Sequence, residues 1–150
     1  MITQAVCPAC GAPNRVASGH PPETAKCGKC HASLALGAPV DVDDAAFARH
    51  LEKTQGLILV DVWAPWCGPC RTMAPQFSAA ATQLAGQARL LKMNADETQT
   101  PNRLRVSGIP ALILFRDGKE IARQAGAMRA DALFNWVVSH SQHATNTRFA

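Results

Sequence analysis

The six cysteines of this 150-residue chain fall into three Cys-x-x-Cys pairs, Cys7/Cys10, Cys27/Cys30 and Cys67/Cys70, with none left over. This pattern limits what the chain can become more than any other feature. The amino terminus has no Lys or Arg before Arg15 and no apolar segment of the signal-peptide kind, so the expected location is the cytoplasm. Reducing compartments rarely keep structural disulfides, and closely spaced thiols there serve metal binding or redox catalysis. Sixteen residues separate Cys10 from Cys27, within the range of a four-thiolate tetrahedral site. Cys67/Cys70 has no second pair to complete a metal site, which points it toward redox chemistry.

Residues 1–36 form the first expected unit. They contain two of the pairs but few large apolar residues, so a metal or cross-link must supply much of their folding energy. Cys7-Pro8-Ala9-Cys10-Gly11 and Cys27-Gly28-Lys29-Cys30-His31 have the form of zinc knuckles, with a Gly after or inside each pair to permit the tight turn. One zinc ion on Cys7, Cys10, Cys27 and Cys30 is the expected occupant; two disulfides or an iron–sulfur cluster are the alternatives. His20 and His31 are further ligand types, but a complete four-cysteine set leaves them facing solvent. Gly37-Ala38-Pro39 reads as a short linker.

Residues 37–150 form the second expected unit. Asp43 or Asp44 caps a helix running to Lys53, with Phe47 and Leu51 on one face. Leu57 to Trp63 is a nearly continuous apolar strand of the kind buried on both faces of a sheet. A helix from Pro69 to Leu84 buries Met73, Phe77, Ala80, Ala81 and Leu84, with Pro75 expected to kink it. Arg89–Asn94 is a strand, 98–105 a short helix, and Ala111–Phe115 a further strand. Asp117-Gly118 turns the chain into the hairpin partner Lys119–Gln124. A last helix presents Leu133, Phe134, Val137 and Val138 on one face, and the polar tail after Ser141 is expected to fray. Alternation followed by a hairpin implies an α/β domain, a mixed sheet of four to five strands with helices on both faces.

Apolar residues make up 47% of the chain, which suits a packed core, and no apolar run reaches the ~18 to 20 residues of a membrane span. The net charge of +4 is divided evenly, residues 1–40 carrying +2 and the remainder +2, without a like-charge block. Neither nucleic-acid nor membrane binding is indicated, and the expected state is a monomer.

Cys67 stands just after the apolar strand and at the start of a helix. Cys70 follows one turn on, so the two sulfurs can reach disulfide distance without backbone movement. Unpaired N–H groups and positive partial charge at the helix start favour a thiolate on Cys67, the attacking species in disulfide exchange. Gly68 keeps the approach open, and Pro69 lacks an N–H where none is needed. Asp61 interrupts aliphatic residues; a carboxylate desolvated there has a raised pKa and is suited to proton transfer, whereas on a solvent-facing strand position it would be ordinary. Lys92, in the neighbouring strand, is placed either to pair with Asp61 or to face water. Trp66 reads as a partly exposed lid beside Cys67, and Trp63 as a core aromatic.

Val60-Asp61-Val62-Trp63-Ala64-Pro65-Trp66-Cys67-Gly68-Pro69-Cys70 closely resembles the thioredoxin active-site segment. Gly108-Ile109-Pro110, Lys92-Met93-Asn94-Ala95-Asp96 and Gly126 also match family positions, and the resemblance covers roughly residues 41–140. With the amino-terminal cysteines added, it is to the zinc-containing thioredoxin-2 type of bacteria. The resemblance implies a thioredoxin fold plus a small zinc-ribbon-like module. It also implies protein-disulfide reduction by Cys67 and Cys70, with Asp61 accepting a proton for Cys70 through water and Lys92 moderating Asp61. It implies a cis Ile109–Pro110 bond facing the cysteines, where composition alone favours trans. Trp66, Gly68, Pro69, Ile109 and Pro110 would then form the substrate-binding surface. Disulfide-containing client proteins and an NADPH-dependent flavoprotein reductase are the implied partners. Val62 and Ala111 depart from the commoner family residues, an aromatic and a Thr. A rival reading is a zinc-regulated, redox-sensing chaperone or binding module on the same scaffold.

Overall fold

The computed structural model describes residues 1–17 and 19–147, with side chains through Ser141. After the amino-terminal hairpin of β1 (Gln4–Val6) and β2 (Pro13–Arg15) comes a 3-10 turn at Pro22–Thr24. The larger part follows as β3 (Val40–Asp41), α1 (Asp44–Lys53), β4 (Leu57–Trp63), α2 (Gly68–Gln83), β5 (Ala88–Asn94), α3 (Thr100–Arg103), β6 (Ala111–Arg116), β7 (Lys119–Ala125) and α4 (Ala130–Thr147). Its five strands form one sheet in the order β3-β5-β4-β6-β7. β3 and β4 run parallel to β5, while β6 runs antiparallel to β4 and β7.

β4 lies at the centre, and six of its seven residues are buried. Strand alternation sends them to two cores. Leu57 and Leu59 join Met73 and Phe77 of α2, Leu84 just after it, and Leu133 and Val137 of α4. Ile58, Val60 and Val62 pack with Phe47 of α1, Leu91, Met93, Ile113 and Phe115 on the opposite face. Asp43 is the cap of α1, its Oδ1 accepting from the Ala46 N–H at 2.8 Å. Asp44 serves another helix. Its carboxylate accepts from the Gln99 and Thr100 N–H groups and fixes the start of α3.

The two-residue β3 is too short to show a pattern in the sequence. α3 is one turn, shorter than the expected 98–105, and Pro75 lies inside α2 without ending it. The helix of α4 continues to Thr147, past the point where the polar tail was expected to fray; that tail's side chains lie outside the described residues. No helix among the described residues is long and apolar enough to cross a membrane.

The amino-terminal region has a small core of its own, in which Cys7 and Cys27 pack with Ile2, Ala5, Ala25, Leu34 and Leu36. It is stitched to the larger part by backbone hydrogen bonds: Ile2 N–H to Gly86 O (2.9 Å), Thr3 N–H to Gln55 O (3.2 Å) and Gln55 N–H to Gln4 O (2.9 Å).

Candidate active site and metal centre

β4 delivers the chain to the redox pair. Cys67 is the N-cap residue of α2, in extended conformation, and its Sγ accepts the hydrogen bond of the Cys70 N–H at 3.2 Å. Cys70 sits in the first turn of the helix. The two are joined as a disulfide, with Cα atoms 5.2 Å apart. In this oxidised form neither residue is exposed, Cys67 being 5% and Cys70 2% accessible. Ala64, Trp63 and Ile109 surround them. In the disulfide form the Cys67 sulfur is bonded to Cys70 and is not a free thiol. A donor at a helix start favours a thiolate on Cys67 once that bond is opened.

The Ile109–Pro110 bond is cis, as the resemblance implied. Pro110 O accepts from the Gly126 N–H at 2.9 Å, which ties this loop to the end of β7. Trp66 is 67% exposed, and its Nε1–H donates to both carboxylate oxygens of Asp96 at 3.1 Å. Asp96 stands in a segment that matches the family, but its hold on Trp66 has no sequence signal. Arg71 Nη1 donates to Pro65 O at 2.8 Å, bracing the loop before Cys67. Gly68 and Pro69 begin α2 and are both exposed beside the pair.

Asp61 is 1% exposed, and neither carboxylate oxygen has a hydrogen-bond partner. Alternation along β4 places it on the face covered by α2. Desolvation pushes its pKa up to about 7, and the positive charge of Lys92 partly opposes this. Lys92 is its register neighbour on β5. No ion pair joins the two among the described residues; the Lys92 ammonium lies 4.7 Å from the centre of the Trp63 ring. Lys92 therefore acts on Asp61 through space while resting on an aromatic face.

The other four cysteines converge. Their sulfurs all lie within 4.8 Å of one another. The close contacts run between knuckles, Cys7 to Cys30 and Cys10 to Cys27, each at 3.6 Å. Four thiolates about 2.3 Å from a central ion would stand about 3.8 Å apart, so this donor set fits a tetrahedral metal. The backbone supports it: Ala9 and Cys10 N–H groups face the Cys7 sulfur, and the Lys29 N–H faces Cys27. Asn14 bridges the two halves, donating to Cys27 Sγ at 3.5 Å and accepting from the Gly28 N–H at 2.9 Å. Each knuckle closes on a left-handed residue after its second cysteine, Gly11 (φ 78°) and His31 (φ 67°). The expectation that a glycine serves both turns is corrected: Gly28 has no positive φ, and His31 makes the second turn.

The thioredoxin family model matches residues 38–139. The chain belongs to the thioredoxin family. A thioredoxin from Rhodospirillum rubrum is 44% identical over 97 residues, 64% of this chain and 93% of its own length. Thioredoxin C-3 of Corynebacterium nephridii is 35% identical over 136 residues, 88% of this chain and 91% of its own. That span is too long for residues 38–150 alone, so the similarity reaches into the amino-terminal region. Among solved structures, a mutant thioredoxin from Halobacterium salinarum NRC-1 superposes with a TM-score of 0.64 at 29% identity, covering 70% of this chain and 92% of its own. The chain is a thioredoxin-family protein-disulfide oxidoreductase, and its Cys67–Cys70 disulfide is consistent with an active site.

Proposed function

We propose that this thioredoxin-family protein reduces disulfides in client proteins by dithiol–disulfide exchange through Cys67-Gly68-Pro69-Cys70. The Cys67 thiolate attacks one sulfur of a client disulfide, and the other client sulfur leaves as a thiolate. The mixed disulfide bonds Cys67 to the client. Cys70 then gives its proton to Asp61, attacks the Cys67 sulfur and releases the second client thiolate. The client gains two electrons, and the protein ends as the Cys67–Cys70 disulfide. A reductase must return those electrons; an NADPH-dependent flavoprotein is the class the family suggests, in a reducing cytoplasm, with the protein acting as a monomer.

The observation that carries this reading is Cys67 at the N-cap of α2, bonded to a cysteine one turn on. Asp61 supports it as a buried, unpartnered carboxyl whose pKa of about 7 suits a proton acceptor at neutral pH. Trp66 and the Ile109–Pro110 loop would line the client's path. Insulin reduction by wild type, Cys67→Ser and Cys70→Ser tests it. Cys67→Ser should be inactive, and Cys70→Ser should accumulate the mixed disulfide. Unimpaired reduction by Cys67→Ser would end the proposal. Single-turnover rates with Asp61→Asn test the acceptor role, which requires resolution to slow.

We further propose that residues 1–36 are a separate module holding one zinc ion on Cys7, Cys10, Cys27 and Cys30, where the metal would supply folding energy. Metal analysis and thiol titration of the reduced protein should give one zinc and two free thiols. Six free thiols and no metal would refute this.

A further inference from the structure

Arg89 is among the largest wholly buried side chains of the molecule, only 1% exposed. On β5 it shares a face with Leu91 and Met93, and its register neighbour on β4 is Ile58. Its neighbours call for an aliphatic residue at that position. Its guanidinium instead reaches out of the sheet into the amino-terminal region. Nη2 donates to Val6 O at 3.0 Å, and Nη1 to Leu34 O at 2.7 Å and Ala35 O at 3.1 Å. Val6 immediately precedes Cys7, and Leu34 and Ala35 follow the second knuckle, so one side chain holds both arms of the cysteine cluster.

All three acceptors are carbonyls. No carboxylate pairs with Arg89 among the described residues, and its Nε has no partner. His50 on α1 is itself buried and is made harder to protonate by Arg89. A buried cation without a counter-ion is strongly unfavourable. The Val6 carbonyl that Nη2 holds belongs to the residue before Cys7, which puts the guanidinium beside the cysteine cluster. Four thiolates around a divalent cation carry a formal charge of about −2.

We propose that Arg89 is the counter-ion and latch of the four-cysteine metal centre, so that metal binding and docking of the amino-terminal module on β5 are one coupled equilibrium. This rests on the metal reading above. A ligand that stabilises the docked state must in turn be bound more tightly by it. With the metal bound, Arg89 has both its carbonyl partners and its balancing charge. With the metal removed, nothing fixes the two arms whose carbonyls hold the guanidinium, and the seam between module and sheet should loosen. Arg89 is a positioning residue here, since it touches the chain beside the ligands and not the metal.

The test uses the full-length protein and two readouts. Zinc affinity is measured by competition with a chromogenic chelator for wild type, Arg89→Lys and Arg89→Met. Arg89→Met should bind zinc about 10- to 100-fold more weakly, the range typical of lost outer-sphere support. Arg89→Lys, which keeps the charge, should recover most of that loss. The second readout needs no variant: amide hydrogen exchange of wild type with and without chelator. Removing zinc should reduce protection of the Ile2, Thr3 and Gln55 amides about tenfold or more relative to Val60 in β4. A wild type that takes up no zinc sinks the metal reading and the latch with it. One equivalent of zinc in wild type, with unchanged affinity in Arg89→Met or unchanged seam protection after chelation, sinks the latch alone.

Discussion

The same Cys-x-x-Cys spacing is used in two opposite ways. At Cys67/Cys70 the chain continues into a helix of sixteen residues, and the two sulfurs of the pair meet each other. At the knuckles the chain turns back through left-handed Gly11 and His31, and each sulfur meets one from the other pair. Exposure does not separate the two. Cys10 and Cys30 are exposed, while Cys67 and Cys70 are buried. What separates them is the backbone after the second cysteine and the presence of another pair opposite. Reactivity follows from which sulfur lies within reach and what a thiolate would face, more than from solvent access.

The sharpest way to break this comparison is to remove one cysteine from each region. Cys67→Ser should lower client reduction by about a thousandfold or more and leave the metal content at one. Cys27→Ser should do the reverse: metal lost, and disulfide exchange per folded molecule reduced by less than about tenfold. Metal analysis beside insulin reduction reads both. Equal loss of exchange in the two variants would mean that the regions are not separable in function.

The next largest effects concern two buried titratable groups, one beneath each region. Asp61 has a folded pKa of about 7, above its unfolded value near 4, because burial disfavours its charge. Its contribution is fully present below about pH 4 and is lost as pH rises through 7. Asp61→Asn cannot ionise, so it should be more stable than wild type by up to about 4 kcal/mol above pH 8 and nearly equal below pH 4. Urea unfolding at several pH values measures this. The same variant should resolve mixed disulfides more slowly, which would mark the carboxylate as kept for function at a cost in stability.

His50 lies on the side of the sheet where Arg89 enters and titrates the other way. Burial, with Arg89 and Arg49 nearby, lowers its pKa to about 4. Its folded value lies below its unfolded one, so full stability holds above about pH 6.5 and is lost as pH falls toward 4. The loss is about 3 kcal/mol. His50→Leu should flatten this limb. Between pH 4 and 6.5 the two groups oppose each other, so wild type should show a shallow dependence that the single variants resolve into opposite slopes. Parallel slopes in the two variants would contradict the burial argument at one site.

Much of this is legible in residues. The cysteine pairing separates the two regions, the apolar run from Leu57 to Trp63 marks the central strand, and a lone Asp within it marks a desolvated acid. Other parts depend on contacts between distant segments. The cis geometry of Pro110 comes only from family resemblance, since a single X-Pro step is ambiguous. Lys92 reads from the pattern as a neighbour of Asp61, yet its resting place on the Trp63 ring is a matter of packing. Arg89 looks like an ordinary strand residue. Its burial is set by Val6, Leu34 and Ala35, which lie 83, 55 and 54 residues away along the chain. The left-handed His31 is hidden by the glycine at position 28.

The smallest expected effect tests what the redox region has and the knuckles lack, an exposed tryptophan beside the sulfur. Trp66 is held by Asp96 at the protein surface. A single exposed hydrogen bond of this kind contributes little to folding, so Asp96→Ala should change stability by no more than about 0.5 kcal/mol. It should act instead on how the indole is presented to a client. With the ring freed, reduction of a protein disulfide should slow by about two- to fivefold, equivalent to no more than about 1 kcal/mol. Reduction of a small disulfide such as that of a dithionitrobenzoate reagent, which needs no such surface, should be unchanged. If both substrates slow together, Asp96 acts on the chemistry of Cys67 and the indole is not a client contact. If neither slows, Trp66 keeps its position without Asp96, held by packing at the start of α2.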